Sequence, residues 1–320
     1  MNTHFRFYAW SVLVFHLAVI VWGAFVRASG SGAGCGEHWP LCNGSLVPHS
    51  PLNATLIEFS HRLTSGIAFA SVLVLAVWAY RAFPRGSGVR SGAWLALASI
   101  VVECAIGAGL VLMRLVGANA SVSRGLWLAT HLINTMLLVA TLSITAWRAT
   151  SGRHGDRYGR VPWTGQIIGL SIGGFLCAAV LGGVAALGDT LAVPTSLAAS
   201  IREDFSPLSN IFVRLRILHP LAAGAVGSVL LLLAARVTLS ERADAVARRL
   251  ATAMAALVLL QFTLGIADIF LKTPVPLQML HLLVANLLWI SLVLLVTELR
   301  PWVGRGPLQR IDALPTNTSN

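Results

Sequence analysis

Long apolar runs separated by short, arginine-bearing polar segments dominate this chain. Eight runs, at about 9–27, 61–81, 93–114, 127–148, 164–187, 218–237, 249–271 and 278–299, reach the roughly 20 residues that a helix needs to cross a hydrocarbon core. They are continuous, rich in Leu, Ala and Val, and far longer than the about 10 alternating residues of a membrane strand, so the pattern predicts helices. A helix also satisfies its own backbone polar groups within lipid. The predicted class is an all-α polytopic membrane protein with eight transmembrane helices.

Composition removes the soluble alternatives. Of 320 residues, 56% are hydrophobic and only 11% charged, with a mean hydropathy of +0.76, whereas a soluble domain carries about 25% charged residues. Soluble enzymes, nucleic-acid binders and disordered chains are excluded. The net charge of +11 is a matter of topology instead. Fifteen cations fall before the first span, after the last, and in segments 81–92, 148–163 and 236–249. The other eight (Arg27, Arg62, Arg114, Arg124, Arg202, Arg214, Arg216 and Lys272) fall in the alternate set. The positive-inside rule then places both termini in the cytoplasm. One arginine precedes the first apolar stretch, which is longer than a signal-peptide core, so that span is expected to be a retained helix. Gly32-Ala33-Gly34 before Cys35 is a poor lipoprotein signal.

The chain repeats itself. His61-Arg62-Leu63-Thr64-Ser65-Gly66 aligns with His219-Pro220-Leu221-Ala222-Ala223-Gly224, and without a gap Gly107 falls on Gly265. His131 and His281 are each followed by leucine at the next position and at the sixth and seventh after it. The first span of each unit matches only weakly, around Gly23 and Gly183. The expected domains are residues 1–150 and 151–320, two pseudo-symmetric four-helix bundles in the same orientation, as parallel repeats require. His61, His131, His219 and His281 then lie at one level, in or near the first turns of even-numbered spans. Ionisable residues within a membrane are functional candidates. Two lone histidines on facing helices match axial ligation of a haem better than a zinc site, which wants three or four protein ligands. His4, His38, His49 and His154 fall in the tail or loops, and His16 is alone in the first span.

The halves differ where chemistry is expected. Glu58 stands three residues before His61, on the same helical face, and Arg216 stands at the matching place before His219. Glu58 is either a cap for its helix or a group that transfers a proton or stabilises cationic character. Cys35 and Cys42 lie in a loop expected outside, where disulfides persist; its counterpart, 188–217, has no cysteine. They are a structural staple or a redox pair. Cys104 and Cys177 are expected to be apolar filler. Arg27, Arg62, Arg214 and Arg216 are candidate partners for haem propionates.

Val26-Arg27-Ala28-Ser29-Gly30-Ser31-Gly32 leads to Cys35 and Trp39-Pro40-Leu41-Cys42. Glu58-Phe59-Ser60-His61-Arg62 and the histidines 131, 219 and 281 follow. In these residues, and across essentially all eight spans, the sequence resembles the haem A synthase family, in its bacterial cysteine-containing subtype. The resemblance implies oxidation of a methyl group of haem O to a formyl group by two hydroxylations and a dehydration. It implies a substrate haem held by His61 and His131 beside the catalytic Glu58, and a haem b cofactor, with its iron, held by His219 and His281. It further implies a bacterial plasma-membrane location and a role in cytochrome oxidase assembly. Haem O synthase, an electron donor and further copies of the chain are candidate partners, and nucleic acid is not. A di-haem b-type cytochrome that only moves electrons is the alternative, and a transporter built from parallel repeats is a more distant one.

Overall fold

The structure, a computed structural model, describes residues 3–48, 52–151, 164–192, 196–241 and 243–299. His49, His154, Arg153, Arg157, Arg160, Arg242, Arg300, Arg305 and Arg310 lie outside the described residues. The described chain is helical, and among its residues the β-pairing is an isolated bridge between Cys42 and Ser45. In order the helices are α1 (Thr3–Ala28), α2 (Asn53–Ala82), α3 (Gly88–Leu112), α4 (Val122–Ser151), α5 (Thr164–Leu191), α6 (Leu197–Phe205), α7 (Ile211–Leu215), α8 (Leu218–Thr238), α9 (Ala245–Phe270) and α10 (Val275–Leu299). Among the described residues, eight stretches are long and apolar enough to cross a membrane, with α7 and α8 counted as one. All eight predicted spans are found, most of them extended at their N-terminal ends. The molecule is a multi-pass membrane protein.

Local chemistry sets several boundaries. The Ser87 hydroxyl accepts the Arg90 N–H at the start of α3, and the Asp244 carboxylate accepts the Ala247 N–H at the start of α9. Both satisfy amides that the helix itself leaves open. The residue after α2, Phe83, is extended and precedes Pro84, which disfavours helical geometry at that residue.

Neighbouring helices pack in the order α1–α2–α3–α4 and back to α1, and α5–α8–α9–α10 and back to α5. Contacts of α4 with α5 and α10, and of α1 with α10, join the two sets. Burial shows which helices sit centrally: half or more of the apolar window of α4 and α10 is inside (50% and 56%), against 17% for α5 and α9. Trp289 of α10 is buried, donates its indole N–H to the Met136 carbonyl of α4 at 2.8 Å, and stacks on Phe175 of α5 at 5.1 Å. The outward faces carry exposed leucines and isoleucines such as Leu95, Ile133, Leu259 and Ile266, as lipid contact requires.

Two features between spans position the site. A 3-10 turn, Ser31–Ala33, follows α1, and Cys35 and Cys42 are joined by a disulfide. In the second half, α6 and α7 occupy the stretch between α5 and α8, which the hydropathy pattern leaves as a loop. Both are too short for a search at spanning length. Their signals are local: Ser196 and Asn210 cap them by accepting the Ala199 and Phe212 N–H groups.

Candidate functional site

Three of the four histidines lie further along their helices than the sequence placed them. His61 and His131 are about two turns inside α2 and α4, or roughly 12–14 Å along the axis at 1.5 Å per residue. His281 is nearly as deep in α10. His219 is in the first turn of α8, but α7 precedes it. The difference arises because the helices begin in polar sequence, before hydropathy rises. His4, placed in the tail by sequence, belongs to the first turn of α1 and is exposed.

His219 and His281 face one another, with ring centroids 6.3 Å apart and planes at 85°. The His219 Nδ1–H donates to the Ala178 carbonyl at 3.1 Å, which leaves Nε2 as the bare nitrogen. A Cβ at Gly182 would lie 2.9 Å from His219 Cε1, so the imidazole is seated against bare backbone of α5. The Gln261 Nε2 of α9 donates to His281 Nε2 at 2.9 Å, and His281 Nδ1 is buried without a hydrogen bond.

In the first half His61 is seated in the same manner, with a Cβ at Gly23 falling 2.8 Å from its Cε1. The seats are thus Gly23 and Gly182, one position from the weak Gly23/Gly183 match in the sequence. His61 Nδ1 is buried and has no hydrogen bond. His131 Nδ1 lies 3.3 Å from Glu103 Oε1, off the line of a hydrogen bond. Glu103 accepts the Asn134 amide and the Thr135 hydroxyl. Sequence reasoning missed Glu103, although a lone acid inside an apolar span is a standing signal of function. His16 is also more than a solitary residue: it is buried, its Nδ1–H donates to Val12 at 2.7 Å, and its Nε2 is unpartnered.

Glu58 is buried in α2 and is not at a cap position. Its Oε2 accepts the backbone N–H of Cys35 at 2.8 Å, and its Oε1 accepts Arg62 Nη2 at 2.5 Å and Nε at 3.2 Å. Arg62 Nη1 donates in turn to the carbonyls of His38 and Leu41, both at 2.6 Å. The carboxylate is therefore tied to the disulfide-closed loop 35–42 at both oxygens. Both cysteines are buried. Gly34 permits the loop to sit this close, since a Cβ there would lie 2.4 Å from the Ala54 carbonyl group. The Gly34 oxygen accepts the Thr55 hydroxyl at 2.8 Å and the Asn43 amide at 3.2 Å.

The arginines divide by what they touch. Arg62 is engaged as described. Arg216 is buried and meets Asp189, Glu203 and Asp204, together with the Ser200 hydroxyl and carbonyl. Arg27 Nη1 donates to the Ala186 carbonyl of α5 at 2.6 Å. Arg214 is exposed. Cys104 is half-buried and Cys177 exposed, both as free thiols.

The chain resembles known proteins along nearly its whole length. The COX15-CtaA family model, described as cytochrome oxidase assembly protein, matches residues 6–293. A Thermus thermophilus protein named protoheme IX farnesyltransferase is 43% identical over 291 residues, 91% of this chain and 48% of that protein. Heme A synthase of Alkalihalophilus pseudofirmus is 32% identical over 154 residues, 48% of this chain and 49% of the relative. Heme A synthase of Lysinibacillus sphaericus is 40% identical over 111 residues, 35% and 36% of the two chains. The chain thus spans about half, or less, of the length of these curated relatives.

Proposed function

This chain belongs to the COX15-CtaA family of cytochrome oxidase assembly proteins, and from that premise we propose that it is a haem A synthase. In this reading it oxidises a methyl group of haem O to a formyl group through two hydroxylations and a dehydration. The observation that carries the proposal is four histidines on membrane-spanning helices, two of them face to face, with a buried glutamate one helical turn before His61.

The donor set fits haem. Metal–imidazole bonds are about 2 Å long, and the ring centroids of His219 and His281, 6.3 Å apart, are within the span that two such bonds to one metal would require. The buried Nδ1 atoms of His61 and His281 have no hydrogen-bond partner, which is costly unless something else engages them. Among the described residues no cluster of three or more His, Cys, Asp or Glu could hold a bare metal ion, whereas a haem would bring most of its own donors. His219 and His281 are assigned to a resident haem b, and His61 and His131 to the substrate haem. The resident haem supplies one-electron chemistry when bound.

The rest of the mechanism is the work of this chain. Gly23 and Gly182 leave the space into which the His61 and His219 rings fit. Glu58 is the acid–base group: Arg62 and the Cys35 amide hold its two oxygens in place, and it takes or returns a proton as the oxidised carbon loses water. The loop 35–42 covers this carboxylate and excludes bulk water from it. Arg27 and Arg214 are the propionate partners of choice, because Arg62 and Arg216 already meet carboxylates of the protein. Residues 1–150 form the substrate half and 151–320 the haem b half, with both termini cytoplasmic in a bacterial plasma membrane. An enzyme that farnesylates protoheme is the natural supplier. The Thermus relative carries that name and is about twice the length of the matched part.

The test is extraction and mass analysis of the porphyrins bound to purified protein, from cells with and without haem O. Haem b together with haem O or A is expected, whereas two haem b per chain would support the electron-transfer alternative. Glu58→Gln, which retains an acceptor for the Cys35 N–H, is expected to keep both pigments and slow haem A formation by about 10²–10⁴-fold. Normal turnover in that variant removes Glu58 from the chemistry.

A further inference from the structure

The residues that touch the second histidine of each pair differ in a way that the mechanism above does not use. The offset of 158 residues that carries His61 to His219 and Gly107 to Gly265 also carries Glu103 to Gln261. Glu103 Oε1 lies 3.3 Å from His131 Nδ1, and Gln261 Nε2 lies 2.9 Å from His281 Nε2. One histidine thus has a carboxylate beside its Nδ1, and its twin has a neutral amide on its Nε2.

The surroundings change in step. Asn134 and Thr135, three and four residues after His131, donate to Glu103. The residues three and four after His281 are Val284 and Ala285, which have no polar side-chain atom to offer. The acid and its two donors are therefore present together in one half and absent together in the other. A carboxylate within a membrane-spanning helix is costly unless it is bonded. Asn134 and Thr135 provide for it in part, and the buried, unbonded Nδ1 of His131 lies beside it. Imidazole ligands commonly owe their orientation and basicity to a carboxylate on the far nitrogen.

We infer that Glu103 is a positioning residue for His131: it holds Nδ1 as the donor nitrogen, leaves Nε2 as the ligand, and strengthens that ligand toward the iron of the substrate haem. Gln261 leaves His281 the weaker donor. The inference rests on the haem-ligation reading above. Its consequence is electronic: a stronger ligand and a nearby negative charge both favour the oxidised iron, so the two haems are set at different potentials by one atom pair on equivalent helices.

Potentiometry of the purified full-length protein, from cells supplying haem O and followed in the visible spectrum, tests this. Glu103→Gln is expected to leave both haems bound and to favour reduction of the substrate-site haem at least tenfold, a rise of ~59 mV or more for one electron, with the other haem unmoved. Gln261→Glu is expected to move the haem b potential in the opposite direction by a similar factor. If haem is bound and both variants shift their equilibria by less than about threefold, the positioning role is wrong and the haem reading stands. A wild-type protein without haem overturns both. Should Glu103→Gln fail to accumulate, Gln261→Glu decides alone.

Discussion

At the scale of single residues, the tightest constraints are on side chains that are missing. Gly23 and Gly182 each lie where one methyl group would fall within 3 Å of an imidazole carbon. Overpacking of this kind costs about 1–3 kcal/mol when the neighbour cannot give way. Gly23→Ala is therefore expected to displace His61 and deplete the substrate-half pigment alone, and Gly182→Ala to deplete haem b alone. The absorption spectra of the two purified variants check this, and equal loss of both pigments in either one would contradict the division into two sites. Legibility at this scale was uneven. The four histidines and Glu58 stand out in sequence because the charged or titratable residues of an apolar span are few. Glu103 was equally visible in the third span, but its meaning depends on facing His131 across α3 and α4, which is a matter of helix rotation that no linear spacing contains. Nor does spacing reveal that the Glu58 oxygens are bound to Cys35 and Arg62.

At the scale of elements, the loop over Glu58 and helix α6 are held by opposite means. The loop is closed covalently. By chain entropy a cross-link over so few residues stabilises by about 2 kcal/mol, so Cys42→Ser is expected to speed hydrogen exchange at residues 35–42 while the eight spans remain protected. Exchange unchanged in that loop would mean that Arg62 and Thr55 suffice to hold it. Helix α6 is instead held by charge, through Arg216 on Asp189, Glu203 and Asp204. Its Leu197, Ile201 and Phe205 are exposed at a spacing of four, the pattern of an interfacial helix. Arg216→Ala leaves the half-buried carboxylates of Asp189 and Asp204 uncompensated, a loss of about 1–3 kcal/mol. The expected result is fast exchange and proteolysis confined to residues 197–205. The sequence hid α6 and α7 because five to nine residues carry too few periods to register, whereas each spanning helix announces itself through some twenty apolar positions.

At the scale of the whole molecule, the two sets of helices meet along α4 and α10, where Trp289 joins the Met136 carbonyl to the Phe175 ring. Trp289→Ala removes a buried aromatic, at a cost of about 3–5 kcal/mol, and is expected to lower the temperature at which pigment is lost from both halves together. Loss from one half only would show that the halves are energetically separate. The number of spans was readable in advance because the bilayer fixes their length. The central position of α4 and α10 was not, because all eight spans are apolar on every side and the pattern does not distinguish a lipid neighbour from a protein one.

Three bonds reach across the molecule over long stretches of chain. Arg27 reaches Ala186, Trp147 reaches Glu298, and Trp289 reaches Met136, at separations of 159, 151 and 153 residues. Ribosomes add about 5–20 residues each second, so Arg27 waits roughly 8–30 s for the carbonyl that will satisfy it. For that interval a guanidinium that ends up enclosed has no permanent acceptor. Release of the early helices into lipid before residue 186 is made would leave it at the end of α1 without that acceptor. Membrane insertion of this chain is therefore expected to be paced by its own translation, with the first helices retained at the insertion machinery until their late-made partners arrive.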